Sequence, residues 1–248
     1  MPLSPRRVLR TFKYAMYFDG VNNYVLVPHS PSLMPTAVTA IVWFAPLGLT
    51  SAYIRLLEKG GWSVGGGYGL EINPAFKPVI RFNIWNGGTV NTIDSTTTLK
   101  IGIMFYVAGV FDGSTMRLYV NLNLEGSKSA SMTSNTWELY IGRRAYNPGN
   151  YFSGYMVQVL LYSRALSDSE VQWNYQNFDN PVRNGLVLWL KADPQYVKDI
   201  DGDGILEWID LSGYNNHGKI YGAQLVQLIK TLVPVRALKP VRVLKPIR

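Results

Sequence analysis

One stretch of the chain, residues 104–120, constrains the fold more than any other, because it has the pattern of a buried β-hairpin. Met104–Val120 consists of two apolar runs on either side of Asp112-Gly113-Ser114-Thr115. Both runs are rich in β-branched and aromatic residues, which favour strands, and an Asp-Gly pair between two such runs is a strong signal for a tight turn. We therefore predict two antiparallel strands at the centre of a β-rich fold.

Short strand-like segments, separated by turns rich in Gly and Pro, extend over most of the remaining chain. A single helix is predicted at about Asp168–Gln176, because Ser167 and Glu170 have the spacing of a capping box. Many short strands with one helix indicate an all-β sandwich. The other predicted strands are Tyr14–Phe18, Tyr24–Val27, Val38–Phe44, Arg55–Lys59, Tyr68–Ile72, Val79–Ile84, Glu138–Gly142 and Tyr155–Tyr162.

The charged residues are distributed unevenly along the chain. The formal net charge is +8, yet ten of the 24 basic residues lie in segments 1–13 and 226–248, which contain no acidic residue. The segment between them holds all 16 acidic residues and is slightly acidic overall, which disfavours specific nucleic-acid binding by the body and assigns any electrostatic partner to the ends. No apolar run reaches the ~18 residues that a membrane helix needs, and the absence of cysteine excludes disulfides and thiolate metal sites.

Four motifs agree in order and spacing with one known family. They are Tyr17–Val25, which contains Phe-Asp-Gly, the hairpin Met104–Val120, Leu139–Arg144 and Tyr162–Glu170. In this order they resemble the laminin-G-like modules of the concanavalin A-like lectin/glucanase superfamily, over roughly residues 14–175. The resemblance implies a concanavalin A-like jelly-roll sandwich with one short helix and basic terminal arms. It also implies a binding or adhesion module that works outside the cell or on a cell or particle surface.

A second unit follows a polar linker at residues 177–183. It contains Gly185–Lys191, an acidic loop, Trp208–Gly213 and Asn215–Ala223, and it resembles the opening of a laminin-G-like module, which the body lacks. The fold is therefore either circularly permuted or followed by a truncated second module. Because about 40 residues cannot bury a core alone, we expect this fragment to complete the sandwich in cis, with exchange between subunits as the alternative. The expected division is a basic arm (1–13), the sandwich (14–178), the completing fragment (179–225) and a periodic tail (226–248).

The strongest local motif is an acidic loop, Asp199-Ile200-Asp201-Gly202-Asp203-Gly204. Carboxylates at the first, third and fifth places, Gly at the sixth and Asp210 at the twelfth match the spacing of an EF-hand calcium loop. Clustered carboxylates repel one another without a cation, although a solvated acidic turn is the alternative. We predict a Ca²⁺ site formed by Asp199, Asp201, Asp203, the carbonyl group of Ile205 and Asp210.

Aromatic and amide side chains provide candidates for glycan binding, because rings stack on sugar faces and amides bond hydroxyl groups. Most aromatic residues of a sandwich belong to its core, so the loop 144–151, punctuated by Gly and Pro, is the better candidate. The predicted ligand-binding residues are Asn83, Trp85, Tyr146, Asn147, Asn150 and Tyr151.

The sequence does not favour catalysis. Glucanases of the superfamily place alternating carboxylates on one strand, whereas acidic residues such as Glu58 and Glu71 are isolated from one another here. The two histidines, His29 and His217, lie in polar loops, and there is no Gly-x-Ser-x-Gly motif. We predict a protein that is not an enzyme and has no catalytic residues, with a carboxylate pair assembled by the fold as the alternative.

The C-terminal tail has a period of three. Basic residues recur every third position from Arg236 to Arg248, and aliphatic residues do the same from Ile229 to Ile247. This period matches polyproline II, which has three residues per turn, and gives a cationic and an aliphatic edge; a flexible linker is the alternative. We predict self-association through Arg236, Leu238, Lys239, Val241, Arg242, Leu244 and Lys245.

These observations predict a non-catalytic, calcium-dependent binding or adhesion module that recognises a glycan or a surface protein. The alternative is a structural subunit of a virion, filament or surface layer, held by its terminal arms. A glycan hydrolase is the least favoured reading.

Overall fold

The computed structural model describes residues 12–49, 53–61, 63, 65–73 and 77–228. Strands dominate these residues, and they are numbered in chain order. The strands are β1 (Tyr14–Asp19), β2 (Tyr24–Val27), β3 (Val38–Pro46), β4 (Ile54–Gly61), β5 (Gly66–Asn73), β6 (Val79–Asn86), β7 (Thr89–Thr98), β8 (Phe105–Phe111), β9 (Thr115–Val120), β10 (Asn123–Ser129), β11 (Leu139–Ile141), β12 (Ser153–Tyr162), β13 (Leu186–Lys191), β14 (Val197–Lys198), β15 (Glu207–Trp208), β16 (Gly218–Tyr221) and β17 (Gln224–Gln227), with one α-helix, α1 (Asp168–Gln176), between β12 and β13.

The strands form two antiparallel sheets that pack face to face. In the eight-stranded sheet the order is β10-β9-β8-β3-β12-β1-β17, and β13 also pairs with β12. In the nine-stranded sheet the order is β14-β15-β16-β2-β11-β4-β5-β6-β7. This architecture confirms the predicted concanavalin A-like jelly-roll sandwich with one short helix.

The main core lies between the two sheets and is built by alternation along the strands. On β6, Phe82 and Ile84 point into this core, and on β11 Leu139 and Ile141 do the same. A second apolar cluster covers the outer face of the eight-stranded sheet, where Val171 of α1 packs. The outer face of the nine-stranded sheet has no apolar cluster of this kind among the described residues, so the polar side chains of this face are open to a functional role.

The central hairpin forms as predicted from β8 and β9. Oδ1 of Asp112 accepts hydrogen bonds from the backbone amides of Ser114 (2.9 Å) and Thr115 (2.8 Å). Gly113 adopts a φ of +102°, which a residue with a Cβ atom disfavours. The predicted helix α1 also forms, and both hydrogen bonds of the capping box between Ser167 and Glu170 are present.

Within the body of the sandwich, the sequence pattern did not predict β7 and β10, and both lie at sheet edges. Most side chains of β7 and β10 are polar and partly or fully exposed. Few residues of these two strands face the core, and Ile93 on β7 is one of them. The apolar alternation that marks a strand in sequence is therefore weak.

The C-terminal strands join both sheets of this chain. β13 pairs with β12, β16 pairs with β2, and β17 pairs with β1. The ring of Trp208 is fully buried in the main core. β17 runs through Gln227, beyond the predicted start of the tail at residue 226. None of the helices in the described part of the chain is long and apolar enough to cross a membrane.

Candidate functional site

The acidic loop connects β14 to β15 at one edge of the nine-stranded sheet. Lys198 pairs with Glu207 across this hairpin, which places Glu207 beside the first residue of the loop, Asp199. Carboxylate oxygens of Asp199, Asp201 and Glu207 lie within 4.8 Å of one another. This group of acidic side chains could hold a metal ion.

The loop holds its shape through its own hydrogen bonds. The backbone amide of Gly202 donates to Oδ1 of Asp199 (2.7 Å), and that of Gly204 donates to Oδ2 of the same residue (3.1 Å). Gly204 has a φ of +84°, so the glycine predicted at the sixth place supports the turn. The backbone amide of Ile205 donates to Oδ1 of Asp203 (2.8 Å).

Asp210, the predicted twelfth-place ligand, does not join this group. Its Oδ1 accepts hydrogen bonds from the amides of Trp189 (2.8 Å) and Ser212 (2.9 Å), and its Oδ2 accepts one from the amide of Asn216 (3.0 Å). The reason is that the chain enters β15 at the ninth place of the loop, so Glu207 faces the loop and Asp210 lies against β13. The fold thus brings Glu207 to the acidic loop, where the spacing predicted Asp210.

Glu207 is only 2% exposed, and its two carboxylate oxygens differ. Oε2 accepts a hydrogen bond from the backbone amide of Ile200 (3.0 Å), whereas Oε1 has no hydrogen-bond partner. A buried carboxylate oxygen without a donor is unfavourable. A cation bound between Glu207 and its acidic neighbours would remove this penalty, so the donor set fits a hard cation such as calcium.

Asp203 lies against a lysine and is not part of the group formed by Asp199, Asp201 and Glu207. Nζ of Lys219 is hydrogen bonded to Asp203 and lies 2.9 Å from Oδ2 of Asp201. The hydrogen bond from Lys219 lowers the pKa of Asp203, and the bonds to Asp203 and Asp201 raise the pKa of Lys219. The lysine therefore partly neutralises the loop from within the chain.

Two of the predicted glycan contacts, Asn83 and Trp85, project from the outer face of the nine-stranded sheet but are almost fully buried, at 2% and 3% exposed. The ring of Trp85 lies over Gly69, where a Cβ atom would meet it at 2.8 Å. The side chain of Asn83 is hydrogen bonded to Glu71. Neither residue is accessible to a ligand at the surface, which the strand pattern alone did not reveal.

The predicted loop 144–151 lies at the edge of the same face. Tyr146 is 47% exposed, and its ring packs edge-on against Trp137 at a centroid distance of 5.9 Å. Asn147 is exposed and has a φ of +55°, while Asn150 and Tyr151 are half-buried. The loop thus presents one aromatic ring and one amide to solvent, as expected for a contact with a ligand.

A buried ion cluster anchors this loop. The amide of Ala145 donates to Oε1 of Glu58 (3.0 Å), and the amide of Arg55 donates to the carbonyl group of Asn150 (3.0 Å). Arg55 also forms salt bridges with both Glu58 and Glu71. Burial raises the pKa of Glu71, and the charge of Arg55 opposes that effect. The fold therefore brings together two carboxylates that are isolated in sequence, but Arg55 pairs with both of them and Arg81 lies 3.8 Å from Glu71.

Sequence reasoning missed an aromatic group on this face. The rings of Tyr24 and Tyr221 stack at 4.7 Å, and Tyr140 lies 6.1 Å from Tyr24. The guanidinium of Arg143 lies between two of these rings, 4.4 Å from the centroid of Tyr24 and 4.1 Å from that of Tyr140. These residues come from β2, β11 and β16, so only the strand order brings them together. The sequence signal for this group was the alternation of Tyr24 with apolar Val25, which places the tyrosine on the face opposite the core.

Comparison with known proteins agrees with the fold. The family model described as the concanavalin A-like lectin/glucanases superfamily, of the laminin G type, matches residues 19–172. This match covers more than half of the chain, and the chain belongs to this superfamily. The comparison with curated proteins found no match.

Similar solved structures include carbohydrate-binding proteins. A Bacteroides ovatus protein provisionally described as carbohydrate-binding matches with a TM-score of 0.68 and 19% identity, over 88% of this chain and 60% of its own length. A SAP-like pentraxin from Limulus polyphemus matches with a TM-score of 0.51 and 13% identity, over 65% and 81% of the two chains. The CBM40 module of the Ruminococcus gnavus IT-sialidase, bound to α2,3-sialyllactose, matches with a TM-score of 0.51 and 15% identity, over 62% and 94%.

The seven residues predicted to mediate assembly lie outside the described residues. They are Arg236, Leu238, Lys239, Val241, Arg242, Leu244 and Lys245.

Proposed function

We propose that this protein is a non-catalytic glycan-binding module and that its ligand lies on the outer face of the nine-stranded sheet. The observation that carries the proposal is the set of aromatic rings on this face, Tyr24, Tyr140 and Tyr221, with the exposed ring of Tyr146 beyond them. Sugar rings present apolar C–H faces that pack on aromatic side chains, while their hydroxyl groups bond polar groups nearby. The carbohydrate-binding neighbours of the same fold support this role.

Within this face, Tyr146 and Asn147 are the predicted residues that remain in the proposed site, with Asn150 and Tyr151 supporting them from half-buried positions. A glycan array, together with an assay for released reducing sugar, tests the proposal. Binding without sugar release supports a non-catalytic module. Sugar release that is lost when Glu58 or Glu71 is replaced would show a hydrolase instead.

We also propose that the module binds calcium through Asp199, Asp201 and Glu207. In this ligand set Glu207 takes the place predicted for Asp210. Oε1 of buried Glu207 supports this proposal, because it accepts no hydrogen bond and its ion pair with Lys219 is long, at 3.9 Å. Calcium would supply charge neutralisation at the β14–β15 hairpin and hold this edge of the sheet. Because binding to the folded state alone raises stability, calcium should raise the melting temperature.

The C-terminal fragment is proposed to complete the sandwich in cis. It contributes strands to both sheets, and its Trp208 fills the core. An extracellular, cell-surface or virion location is proposed from the kind of protein that shares this fold.

A second candidate function, a structural subunit held by its arms, is favoured by one observation. The backbone amide of Leu228 donates to the carbonyl group of Lys13 (2.9 Å). The basic arm and the periodic tail are therefore attached at one point of the sandwich, where both could engage a second copy. Light scattering of the full chain and of a chain that ends at residue 233 tests this: the full chain should assemble and the shorter one should not.

A further inference from the structure

We propose that Arg143, with the tyrosines around it, forms a subsite for an anionic substituent of the glycan, a carboxylate or a sulfate ester. The subsite rests on the proposed function, because it lies within the aromatic face to which we assign the glycan. It adds a class of ligand, acidic glycans, that no feature of the sequence indicated.

The environment of Arg143 differs from that of the other buried arginine, Arg55. Both are 8% exposed. Arg55 forms salt bridges with Glu58 and Glu71, whereas no carboxylate among the described residues forms a salt bridge with Arg143. A buried charge is normally paired, because removing it from water without a counter-charge is unfavourable. Arg143 thus has the burial of a paired arginine without the anion.

The aromatic rings do not replace this anion. The guanidinium carbon of Arg143 lies 4.4 Å from the ring centroid of Tyr24 and 4.1 Å from that of Tyr140, and these centroids are 6.1 Å apart. Cation–π contact of this kind stabilises the positive charge. The ring faces offer no carboxylate or carbonyl oxygen to the N–H donors of the guanidinium. Nε of Arg143 has no hydrogen-bond partner, and the hydroxyl of Tyr140 is hydrogen bonded to the guanidinium.

The remaining groups around Arg143 suit an anion. The hydroxyls of Tyr140, Tyr151 and Tyr221 are close enough to Tyr24 to interact with it electrostatically. Burial raises the pKa of Tyr24 and of Tyr140, an effect that the charge of Arg143 opposes. The hydroxyls of Tyr24 and Tyr140 therefore stay protonated at neutral and mildly alkaline pH and can donate to an acceptor. A fixed guanidinium fork with phenol donors beside it matches the geometry of carboxylate and sulfate oxygens.

One acidic residue faces this group. Glu138 interacts with Tyr140, but it also interacts with the buried ammonium of Lys59. Glu138 forms no salt bridge with Arg143 among the described residues.

The experiment compares acidic glycans with uncharged references of the same sugar. Oligogalacturonate and its methyl ester test the carboxylate, and sulfated and desulfated galactan fragments test the sulfate ester. Titration calorimetry of the full chain should show at least one acidic form binding about tenfold more tightly than its reference. The affinity of that acidic form should fall with added salt while that of the reference does not. Which pair shows the difference identifies the substituent.

Substitutions then assign the effect to Arg143. Arg143→Gln should weaken binding of the acidic form about tenfold more than binding of its uncharged reference, so that the preference is lost. Arg143→Lys should keep part of the preference, because the charge remains and the fork is lost. Thermal melts show whether each variant is folded. The basic ends of the chain also attract acidic glycans, so Tyr140→Phe, which keeps every charge and removes the hydroxyl bonded to the guanidinium, is the further test if both Arg143 variants unfold: it should lower the preference for the acidic form.

Acidic forms that bind no better than their references, or do not bind at all, would overturn the subsite. Binding of neutral glycans that depends on Tyr146 would leave the proposed function standing in that case. If no glycan of either kind binds, the proposed glycan-binding function is wrong, and the subsite falls with it.

Discussion

Nζ of Lys219 lies 2.9 Å from Oδ2 of Asp201, so the acidic loop already faces a positive charge that belongs to the chain. The same nitrogen forms an ion pair with Asp203 and lies 3.9 Å from Oε1 of Glu207. A divalent cation in this loop must share or displace the contacts of Lys219. Lys219 should therefore lower the affinity of the proposed site for calcium.

Replacing Lys219 with Met should tighten calcium binding by roughly tenfold, because the competing charge is removed while the carboxylates stay. Replacing Asp201 with Asn should weaken binding by a similar factor. Titration calorimetry measures both. The proposed site is contradicted if calcium binding is undetectable in the unaltered chain and in the Lys219→Met variant.

Replacing Asp210 with Ala should destabilise the protein without changing the number of calcium ions bound. The carboxylate of Asp210 accepts bonds from three backbone amides, of Trp189, Ser212 and Asn216, and their loss leaves buried donors unpaired. We expect a loss of about 2–4 kcal/mol in the free energy of unfolding. Urea denaturation measures it, with Asp203→Ala as the exposed control. A calcium stoichiometry that falls to zero in Asp210→Ala, with stability unchanged, would return Asp210 to the ligand set.

Because Lys59 is buried, we expect the free energy of unfolding to rise with pH. It is fully buried and reaches Nδ1 of His29 (3.0 Å), and burial lowers its pKa to about 8 from 10.5. Between these values the unfolded chain binds more protons than the folded chain, so the free energy of unfolding increases as pH rises. Relative to a Lys59→Met variant, the unaltered chain should gain about 2 kcal/mol between pH 7 and 9.5. If the free energies of unfolding of the two proteins change in parallel with pH, burial does not lower the pKa of Lys59 in this way.

A chain that ends at residue 184 should lose most of its stability. It would lack β13 and the later strands, which leaves one edge of β2 and of part of β12 unpaired and removes Trp208 from the core. Open sheet edges and an exposed apolar face also favour aggregation. Thermal melting compares this chain with the full one. An unchanged melting temperature would show that the fragment does not complete the sandwich.

Features that depend on neighbouring residues could be predicted from the sequence. The β8–β9 hairpin follows from the Asp112-Gly113 turn and its flanking apolar runs, and α1 follows from the capping box at Ser167. Both are set by contacts over a few positions. The general architecture followed because several such segments occur in a known order.

Features that depend on register could not be predicted. Glu207 joins Asp199 because of one pairing across a hairpin, and Arg143 meets Tyr24 because β11 lies beside β2. A shift of one residue in either pairing would turn these side chains to the other face. Asn83 and Trp85 show the same limit. Their residue types predicted contacts with a glycan, but the neighbouring side chains that bury them could not be predicted.

The central claim is that a glycan binds the outer face of the nine-stranded sheet, and paired aromatic substitutions test it most directly. Tyr146 lies on this face and is 47% exposed, whereas Trp173 lies on α1, over the opposite sheet, and is 46% exposed. For a glycan identified on an array, Tyr146→Ala should weaken binding by at least tenfold, as expected for a lost stacking contact of about 1.5 kcal/mol. Trp173→Ala should leave the dissociation constant unchanged. Equal effects of the two substitutions, or a loss confined to Trp173→Ala, would contradict the account.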